Sequence, residues 1–184
     1  SIEANARKAR LAAYRGIMQP GDLVLTAQHR DDQAETLLLQ LLRGSGLSGL
    51  AAMPEVMELP PGYLVRPLLD FTRFDLHQYA KSNCIDWVED PSNVDTGFDR
   101  NYLRHAILPL LAERWPGCTK TLSRSARHCA EAQDLIDHLA SRDMARVQGS
   151  RPGTLSVSAL RNLEPPLCRA LLRRWIRGAR FGLP

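Results

Sequence analysis

The side chains best suited to chemistry stand in one short stretch, "TAQHRDDQAET", at residues 26–36. Asp32 and Glu35 are one helical turn apart, and a carboxylate pair at that spacing can hold an ammonium group or a metal ion. His29 precedes them and is equally consistent with a structural hydrogen bond and with a role in a site. Asp31 is better explained as an acidic residue at a helix N-terminus. The stretch therefore predicts a site that handles a cation.

Two predicted elements bring these side chains to one place. Residues 22–27, "DLVLTA", form an apolar run after a turn and predict a buried parallel strand. Residues 32–43 predict a helix with most leucines on one side and the acids on the other. Ligands of open α/β sheets bind at the carboxyl ends of the strands, where His29 and the acidic side of the helix meet. The "RGSGLSGL" that follows lacks the lysine of a P-loop, so this motif does not support a phosphate cradle.

The rest of the pattern divides the chain into an α/β part and a helical part. In the first part, residues 62–69 ("GYLVRPLL") predict a second strand, and residues 72–84 predict a helix with Thr72 as its N-cap. Two strands cannot form a parallel sheet alone, so we expect most of the sheet to precede residue 1. After the "DPSNVDTGFDRN" loop the pattern predicts helices only, at about 102–113, 119–147 and 165–178.

Charge is distributed unevenly between the two parts of the chain. Residues 1–99 carry 9 basic and 14 acidic side chains, whereas residues 100–184 carry 15 basic and 6 acidic ones, nearly all of the basic ones arginine. The acidic part suits a cationic substrate, and the arginine-rich part suits a polyanion such as a nucleic acid. Arg169, Arg173 and Arg177 form a stripe at every fourth position, which is as consistent with a solvated helix face as with phosphate contact.

Several classes of protein do not fit the composition. No apolar run approaches the length of a membrane span, and the first residues lack the apolar stretch of a secretory signal. The four cysteines lie far apart without a CxxC pair, so zinc ribbons and dense disulfide frameworks are not expected, and reduced, buried thiols are. The histidines are equally dispersed, and no metal site is predicted.

Five blocks along the chain, taken in order, resemble the tRNA(Ile)-lysidine synthetase family. They are "EANAR" (3–7), "TAQHRDDQAET" (26–36), "RGSGLSGLAAMP" (43–54), "RPLL" (66–69) and "WVEDPSNVDTGFDRNYLRHAILPLL" (87–111). The last block is the most specific, and the resemblance depends on the ordered series because no single short motif carries it. It extends along essentially the whole chain.

The resemblance implies an α/β fold, namely the C-terminal part of a Rossmann-like, parallel-sheet ATP-pyrophosphatase domain of the PP-loop type at residues 1–114. An all-α tRNA-binding domain is implied at residues 115–184, with the boundary near "RWPGC". The implied reaction uses ATP, with Mg²⁺, to adenylate the wobble cytidine of the tRNA(Ile) with a CAU anticodon, and then joins L-lysine to that base. The product, lysidine, makes the tRNA read AUA instead of AUG. The implied location is the cytoplasm, and a homodimer is an alternative that the sequence leaves open.

The resemblance also implies roles for individual residues. Asp32 and Glu35 would hold the lysine ammonium group, and one of them would take its proton. His29 would contact the nucleotide or the activated base, and Arg104 would stabilise phosphate or the adenylate. The same loop holds two further candidates for substrate binding, Arg100 and Asn101. The alternative for these three loop residues is a loop braced by salt bridges to its own acids, Glu89, Asp90 and Asp95. The candidates for tRNA binding are Arg43, Arg169, Arg173 and Arg177.

One departure from the family and two rival interpretations stand beside this one. The family's ATP loop, a serine-glycine-glycine segment that ends in aspartate-serine, does not occur in these 184 residues. We therefore expect the chain to be a fragment that is inactive alone. A related enzyme that inserts sulfur into tRNA cytidine would share the acidic helix, but it would be expected to carry CxxC cysteines. The other rival is a non-catalytic RNA-binding module.

Overall fold

The structure is a computed structural model that describes residues 2–178, with side chains described from residue 5 onward. The side chains of Glu3 and Ala4, in the "EANAR" block, lie outside the described residues. The fold is mixed α/β, with a small sheet among many helices. The chain forms two compact units, residues 1–130 and residues 131–184. No described helix is both long enough and apolar enough to cross a membrane.

Three short strands form the sheet, in the order β1 (Leu23–Leu25), β3 (Gly62–Val65) and β2 (Val56–Leu59). β1 and β3 are parallel, which confirms both predicted strands and their relative direction. β2 pairs antiparallel with β3 and was not predicted, because the charged Glu58 interrupts its apolar residues. β3 ends at Val65, two residues before Pro67, which has no backbone N–H with which to continue the ladder.

The two faces of the sheet differ sharply in burial. Leu59 and Leu64 face the interior and are 0% and 3% exposed, respectively. On β1, Leu23 and Leu25 point to the other face and are 61% and 65% exposed. The prediction of a buried strand is therefore wrong for this face of β1, where both leucines are largely exposed.

The helices of the first unit largely follow the sequence pattern. The first helix and the helix of the acidic stretch both form, and Thr72 caps α4 by accepting a hydrogen bond from the Asp75 backbone N–H at 3.0 Å, as predicted. The predicted helix at 102–113 forms as two α-helices with a π-helical segment, Leu103–Ile107, between them. The bounds are α1 (Ile2–Ile17), α2 (Arg30–Leu42), α3 (Leu47–Leu50), α4 (Arg73–Ser82), α5 (Asp99–Tyr102) and α6 (Leu108–Arg114).

The second unit packs its helices around a small apolar core. Ala140, Val147 and Leu171 are its fully buried centre, at 0–1% exposure. The predicted helix at 165–178 forms, and Leu171 lies on its buried side as the stripe of leucines indicates. The bounds from residue 118 onward are α7 (Cys118–Asp143), a 3₁₀ turn (Met144–Val147), α8 (Val157–Arg161) and α9 (Pro165–Gly178).

The cysteine prediction is correct in part. All four cysteines are unbridged thiols. Cys118 is buried and Cys129 and Cys168 are partly buried, but Cys84 is exposed, in the turn after α4. Burial was therefore wrongly predicted for Cys84, whose positive φ of 51° belongs to the end of a helix rather than to a core.

Candidate active site

The start of α2 is fixed by its own acidic residues. The Asp32 carboxylate accepts a hydrogen bond from the His29 backbone N–H at 2.9 Å and so stabilises the first turn of the helix. Asp31 accepts from the backbone N–H of Arg73 at 2.7 Å, which ties α2 to the first turn of α4. These contacts favour the structural interpretation of Asp31, and they present His29 and Asp32 just beyond the end of β1.

A network of two carboxylates and two arginines follows one turn further along α2. Glu35 is 0% exposed, and its two oxygens accept from Nε and Nη2 of Arg104 at 2.7 and 3.1 Å. Nη2 of Arg104 also donates to Asp32 Oδ1 at 3.0 Å. The Arg100 Nε lies 3.1 Å from Glu35 Oε2, and its Nη2 donates to the Thr36 hydroxyl at 2.6 Å. The structure thus brings together four of the site residues predicted from the sequence, namely Asp32, Glu35, Arg100 and Arg104.

Burial dominates the electrostatics of this network. It raises the pKa of Glu35, although hydrogen bonds from Arg104 act in the opposite direction. Burial also lowers the pKa of His29, against the attraction of Asp32 and Asp31. The His29 Nδ1 lies 3.5 Å from the Asp31 carboxylate and has no hydrogen-bond partner. His29 is therefore a neutral imidazole near pH 7 whose buried Nδ1 lies beside the carboxylates of Asp31 and Asp32.

Arg104 owes its position to an irregular helix. It lies in the π-helical segment Leu103–Ile107, where the wider turn shifts the direction of the side chains relative to α5. Single π-helical turns occur most often at functional sites. The guanidinium groups of Arg100 and Arg104 both reach Glu35, and neither pairs with the loop acids Glu89, Asp90 and Asp95 among the described residues.

Asn101 has a different function from the two arginines beside it. Its side-chain amide donates to the backbone carbonyls of Ser92 and Asp95 at 2.8 and 2.9 Å, and the residue is 9% exposed. Asn101 therefore braces the preceding loop through hydrogen bonds to its backbone. Its predicted role in substrate binding stays a prediction.

The four arginines predicted to bind tRNA have unlike surroundings. The Arg43 side chain is 51% exposed and lies 3.7 Å from Asp99 in the first unit. In the second unit, Arg169 and Arg173 are exposed, and neither has an ion-pair partner among the described residues. Arg177 is bound to Asp137 at 2.6 Å, so its guanidinium group is already occupied.

Two residues of this region were not predicted from the sequence. The buried Gln33 amide forms a pair of hydrogen bonds with Met53, donating to its carbonyl at 2.7 Å and accepting from its N–H at 2.9 Å. Arg66 is 4% exposed at the carboxyl end of β3. Nothing in the sequence distinguished Gln33 from an ordinary polar residue of a helix. The only signal for Arg66 was its position in "VRP", at the end of the predicted strand.

A cavity of about 740 Å³ lies between α1, α2 and the carboxyl ends of β1 and β3. Its wall includes Thr26, Gln28, Thr36 and Met53, which places it beside the carboxylate network. The charged side chains of the wall are five arginines, Arg7, Arg10, Arg43, Arg66 and Arg100. No Asp or Glu among the described residues lines it.

The Mg²⁺ that the resemblance implies finds no matching ligand set in the described part of the chain. No three His, Cys, Asp or Glu side chains converge there. The most suitable carboxylates, Asp32 and Glu35, give their oxygens to Arg104. We therefore derive no step through a metal ion.

Comparison with known proteins gives two family matches. A family model described as a PP-loop domain matches residues 1–111. A second model, described as the TilS substrate binding domain, matches residues 155–184. The candidate active site falls within the first match, and α9 falls within the second.

Relatives named tRNA(Ile)-lysidine synthase match the chain over most or all of its length. The protein of Methylococcus capsulatus is 53% identical over 183 residues, which cover 98% of this chain and 42% of that protein. The protein of Coxiella burnetii is 50% identical over 184 residues, 100% of this chain and 40% of that protein. The protein of Escherichia coli O157:H7 is 45% identical over 183 residues, which cover 100% of this chain and 42% of that protein. The chain thus spans about two fifths of the length of these relatives.

Proposed function

The chain belongs to the PP-loop family, among relatives named tRNA(Ile)-lysidine synthase, and from that premise we propose that it is part of an ATP-dependent tRNA-modifying ligase. The substrates are ATP, L-lysine and the tRNA(Ile) with a CAU anticodon, and the product carries lysidine at the wobble position. Because the substrate is tRNA, we place the reaction in the cytoplasm. The homodimer stays a prediction.

The observation that carries the proposal is the pair of carboxylates at the carboxyl end of a parallel strand. Asp32 and Glu35 lie where open α/β sheets bind their ligands, with Arg104 between them. A ligase that uses an amine needs carboxylates to bind the ammonium group and to accept its proton, and it needs a guanidinium group for phosphate. This site has both.

The proposed reaction has two displacements. In the first, the oxygen on carbon 2 of the cytidine attacks the α-phosphorus of ATP, and the bond to pyrophosphate breaks. In the second, the ε-amine of lysine attacks carbon 2, the carbon–oxygen bond breaks, and AMP leaves with the bonding electrons. The amine arrives as an ammonium ion and must lose a proton before it can attack.

Asp32 is the better candidate for the residue that receives this proton. Its oxygens accept two hydrogen bonds, from His29 N–H and from Arg104, and a carboxylate has about four acceptor sites. Glu35 is fully buried and holds two arginines, so its contribution is to position them. His29, next to Asp32 at the start of α2, is the proposed contact to the nucleotide or the activated base.

The finer architecture belongs to the proposal as well. The parallel pairing of β1 and β3 supports a Rossmann-like ATP-pyrophosphatase domain at residues 1–114. The helices that follow support an all-α tRNA-binding domain at residues 115–184. In it, the exposed Arg169 and Arg173 contact the phosphate backbone, whereas Arg177 would first have to leave Asp137.

The test separates the two displacements in the intact gene product. Pyrophosphate release that depends on tRNA reports adenylation, and incorporation of labelled lysine reports the second step. The Asp32→Asn variant should retain adenylation and lose lysine incorporation by at least about a hundredfold, the range of general-base catalysis. The matched control is Glu113→Gln, which removes an exposed carboxylate on α6 and should leave both steps unchanged.

Two results would contradict the proposal. Lysine incorporation that survives Asp32→Asn would remove Asp32 from the mechanism while keeping the reaction. An intact protein that binds the tRNA but neither releases pyrophosphate nor incorporates lysine would exclude the ligase and favour the non-catalytic RNA-binding module.

A further inference from the structure

The turn that ends α3 contains an alanine in a backbone conformation that favours glycine. Ala52 follows the last residues of α3 and has a φ of 55°, in the left-handed region. There the Cβ of an L-residue crowds the following carbonyl oxygen, which is why helices that end in this way usually do so at a glycine. Ala52 therefore has a conformational cost that contacts elsewhere must offset.

Another helix of the first unit ends in the same conformation and shows what differs at α3. Cys84, after α4, has a φ of 51°, and the N–H of the next residue, Ile85, donates to the Ala80 carbonyl at 2.9 Å. In such helix ends a carbonyl of the helix itself fixes the turn. After α3 the corresponding N–H belongs to Met53, and it donates instead to the side chain of Gln33 on α2.

Gln33 therefore closes the turn after α3 from outside that helix. Its amide accepts from the Met53 N–H at 2.9 Å and donates to the Met53 carbonyl at 2.7 Å. Gln33 is 8% exposed, so both hydrogen bonds form where water competes little with them. They hold both backbone groups of the residue after Ala52 and so stabilise the left-handed conformation.

The turn bears on the candidate active site because Met53 belongs to both. Met53 is 8% exposed and lines the cavity of about 740 Å³. The same wall contains Thr36 and Arg100, which are hydrogen-bonded to each other beside Glu35. A displacement of the turn would therefore change the shape of the site next to the carboxylate network.

Gln33 stands on the same turn of α2 as the carboxylates of the proposed mechanism. It directly follows Asp32 and precedes Glu35 by two positions. Since Gln33 also holds Met53, one helical turn fixes both the carboxylates and a part of the cavity wall. The separation between the wall and the carboxylates is thus set by α2, and not by the segment after α3 that carries Met53.

We propose that Gln33 is a positioning residue for lysine transfer. By holding the turn at Ala52, it keeps the cavity wall at Met53 at the distance from the carboxylates at which the amine reaches the atom it attacks. Displacement by about 1 Å in an active site can cost about a hundredfold in rate. The role in transfer rests on the proposed function, whereas the hold on the turn rests on the contacts alone.

The hold on the turn is tested in the intact gene product without any turnover. The amide of position 52 donates to the Gly49 carbonyl at 3.1 Å, so its protection from hydrogen exchange reports whether the turn is formed. Gln33→Leu should reduce this protection roughly tenfold or more. Adding Ala52→Gly should restore it, because glycine adopts a positive φ without crowding. The matched control adds Cys84→Gly instead, which relieves the other left-handed residue and should restore nothing at position 52.

The role in transfer is tested as a split between two kinetic constants, with rates expressed per folded protein. Gln33→Leu retains both carboxylates, so the KM for lysine should change by less than about twofold. The rate of lysine incorporation at saturating lysine should fall roughly tenfold or more, and adding Ala52→Gly should recover most of it. Gln78→Leu changes an exposed glutamine on α4 and should alter neither constant.

A second variant covers the case in which Gln33→Leu does not fold by circular dichroism. Ala52→Val leaves α2 intact and raises the cost of the left-handed conformation, because a β-branched residue is rarely found there. It should produce the same loss of protection at position 52 and the same split between KM and the saturating rate.

Each outcome supports or overturns a part of the proposal. Protection that persists in the folded Gln33→Leu, or in Ala52→Val if the former is unfolded, overturns the hold on the turn. Lost protection with an unchanged saturating rate overturns the positioning role. Recovery by Cys84→Gly as large as that by Ala52→Gly overturns it too, since the effect would then be one of general stability. An unsubstituted gene product that transfers no lysine overturns the proposed function and the positioning role together, and the exchange experiment still decides on the turn.

Discussion

Two buried charged residues of the first unit, Glu35 and Arg66, differ in how completely their polar atoms are paired. Glu35 is 0% exposed and contacts two arginines through both of its oxygens. Arg66 is 4% exposed, contacts one backbone carbonyl and has an unpartnered Nε. Both lie by the carboxyl ends of the same two strands, so the difference is not one of depth in the fold.

The contrast separates a buried charge that is fully paired from one that is not. A buried charge whose acceptor sites are filled fixes its neighbours, because any movement leaves a charge without a partner. A buried charge left without a partner has capacity for a ligand, and it costs stability while the ligand is absent. Glu35 should therefore contribute more than Arg66 to the stability of the fold.

The largest expected effect is that of Glu35→Gln. The substitution removes the buried counter-charge of Arg100 and Arg104, although Arg104 keeps its contact with Asp32, so the free energy of unfolding should fall by about 3 kcal/mol. Urea denaturation followed by circular dichroism measures it. Asp99→Asn, at an exposed ion pair, should change it by less than about 0.5 kcal/mol. Equal effects of the two substitutions would show that Glu35 does not organise this region.

The second-largest expected effect is that of Gln33→Leu, which breaks the hydrogen bonds between α2 and Met53 in the cavity wall. Gln33→Leu keeps the volume but leaves both backbone groups of Met53 without partners, so we expect a loss of about 2–3 kcal/mol in unfolding free energy. Hydrogen exchange at the Met53 amide should speed up in parallel. An exchange rate as slow as that of the unmodified chain would mean that the loop is held by other contacts.

The third prediction has the opposite sign. Arg66→Met keeps the apolar part of the side chain and removes the unpaired cation, so stability should stay unchanged or rise by up to about 1 kcal/mol. The same denaturation experiment applies. A loss of more than about 2 kcal/mol would break the comparison, since Arg66 would then be a structural residue like Glu35.

The smallest effect is a pH dependence from His29. Burial lowers its pKa from 6.5, so the unfolded chain binds the proton more readily, and stability declines as the pH falls below about 6.5. In His29→Asn this part of the decline should vanish, so denaturation curves of the two proteins measured at about pH 7.5 and at about pH 5 should differ in their pH dependence. Parallel stability curves for the two proteins would contradict the burial effect. Glu35 has the opposite effect on stability. Burial raises its pKa above 4.5, so the folded chain binds this proton more readily than the unfolded chain, and the stability gained in this way is lost as the pH rises.

The sequence predicted local features well. The strand at 22–27, the helix after His29 and the Thr72 cap all follow from residues within a few positions of one another. Periodicity and capping are local properties, and they are sufficient to place His29, Asp32 and Glu35 at the end of a strand.

The features that the sequence could not predict are contacts between residues far apart in the chain. Arg104 and Glu35 are 69 positions apart, and nothing in the chain indicates that Arg104 pairs with that helix rather than with the acids of its own loop. The isolation of Arg66 is a property of the surrounding fold and has no local signature. β2 was missed because its residues resemble a strand only once β3 lies beside it.

The exposed face of β1 bears on how the polypeptide behaves in concentrated solution. Among the described residues β1 is an edge strand, with Leu23 and Leu25 open to solvent and one row of backbone groups unpaired. Such an edge is a template for pairing with another chain. Preparations of these 184 residues should therefore associate, and scatter more light, as their concentration rises. The Leu25→Lys substitution should reduce that scattering while leaving the interior of the sheet intact.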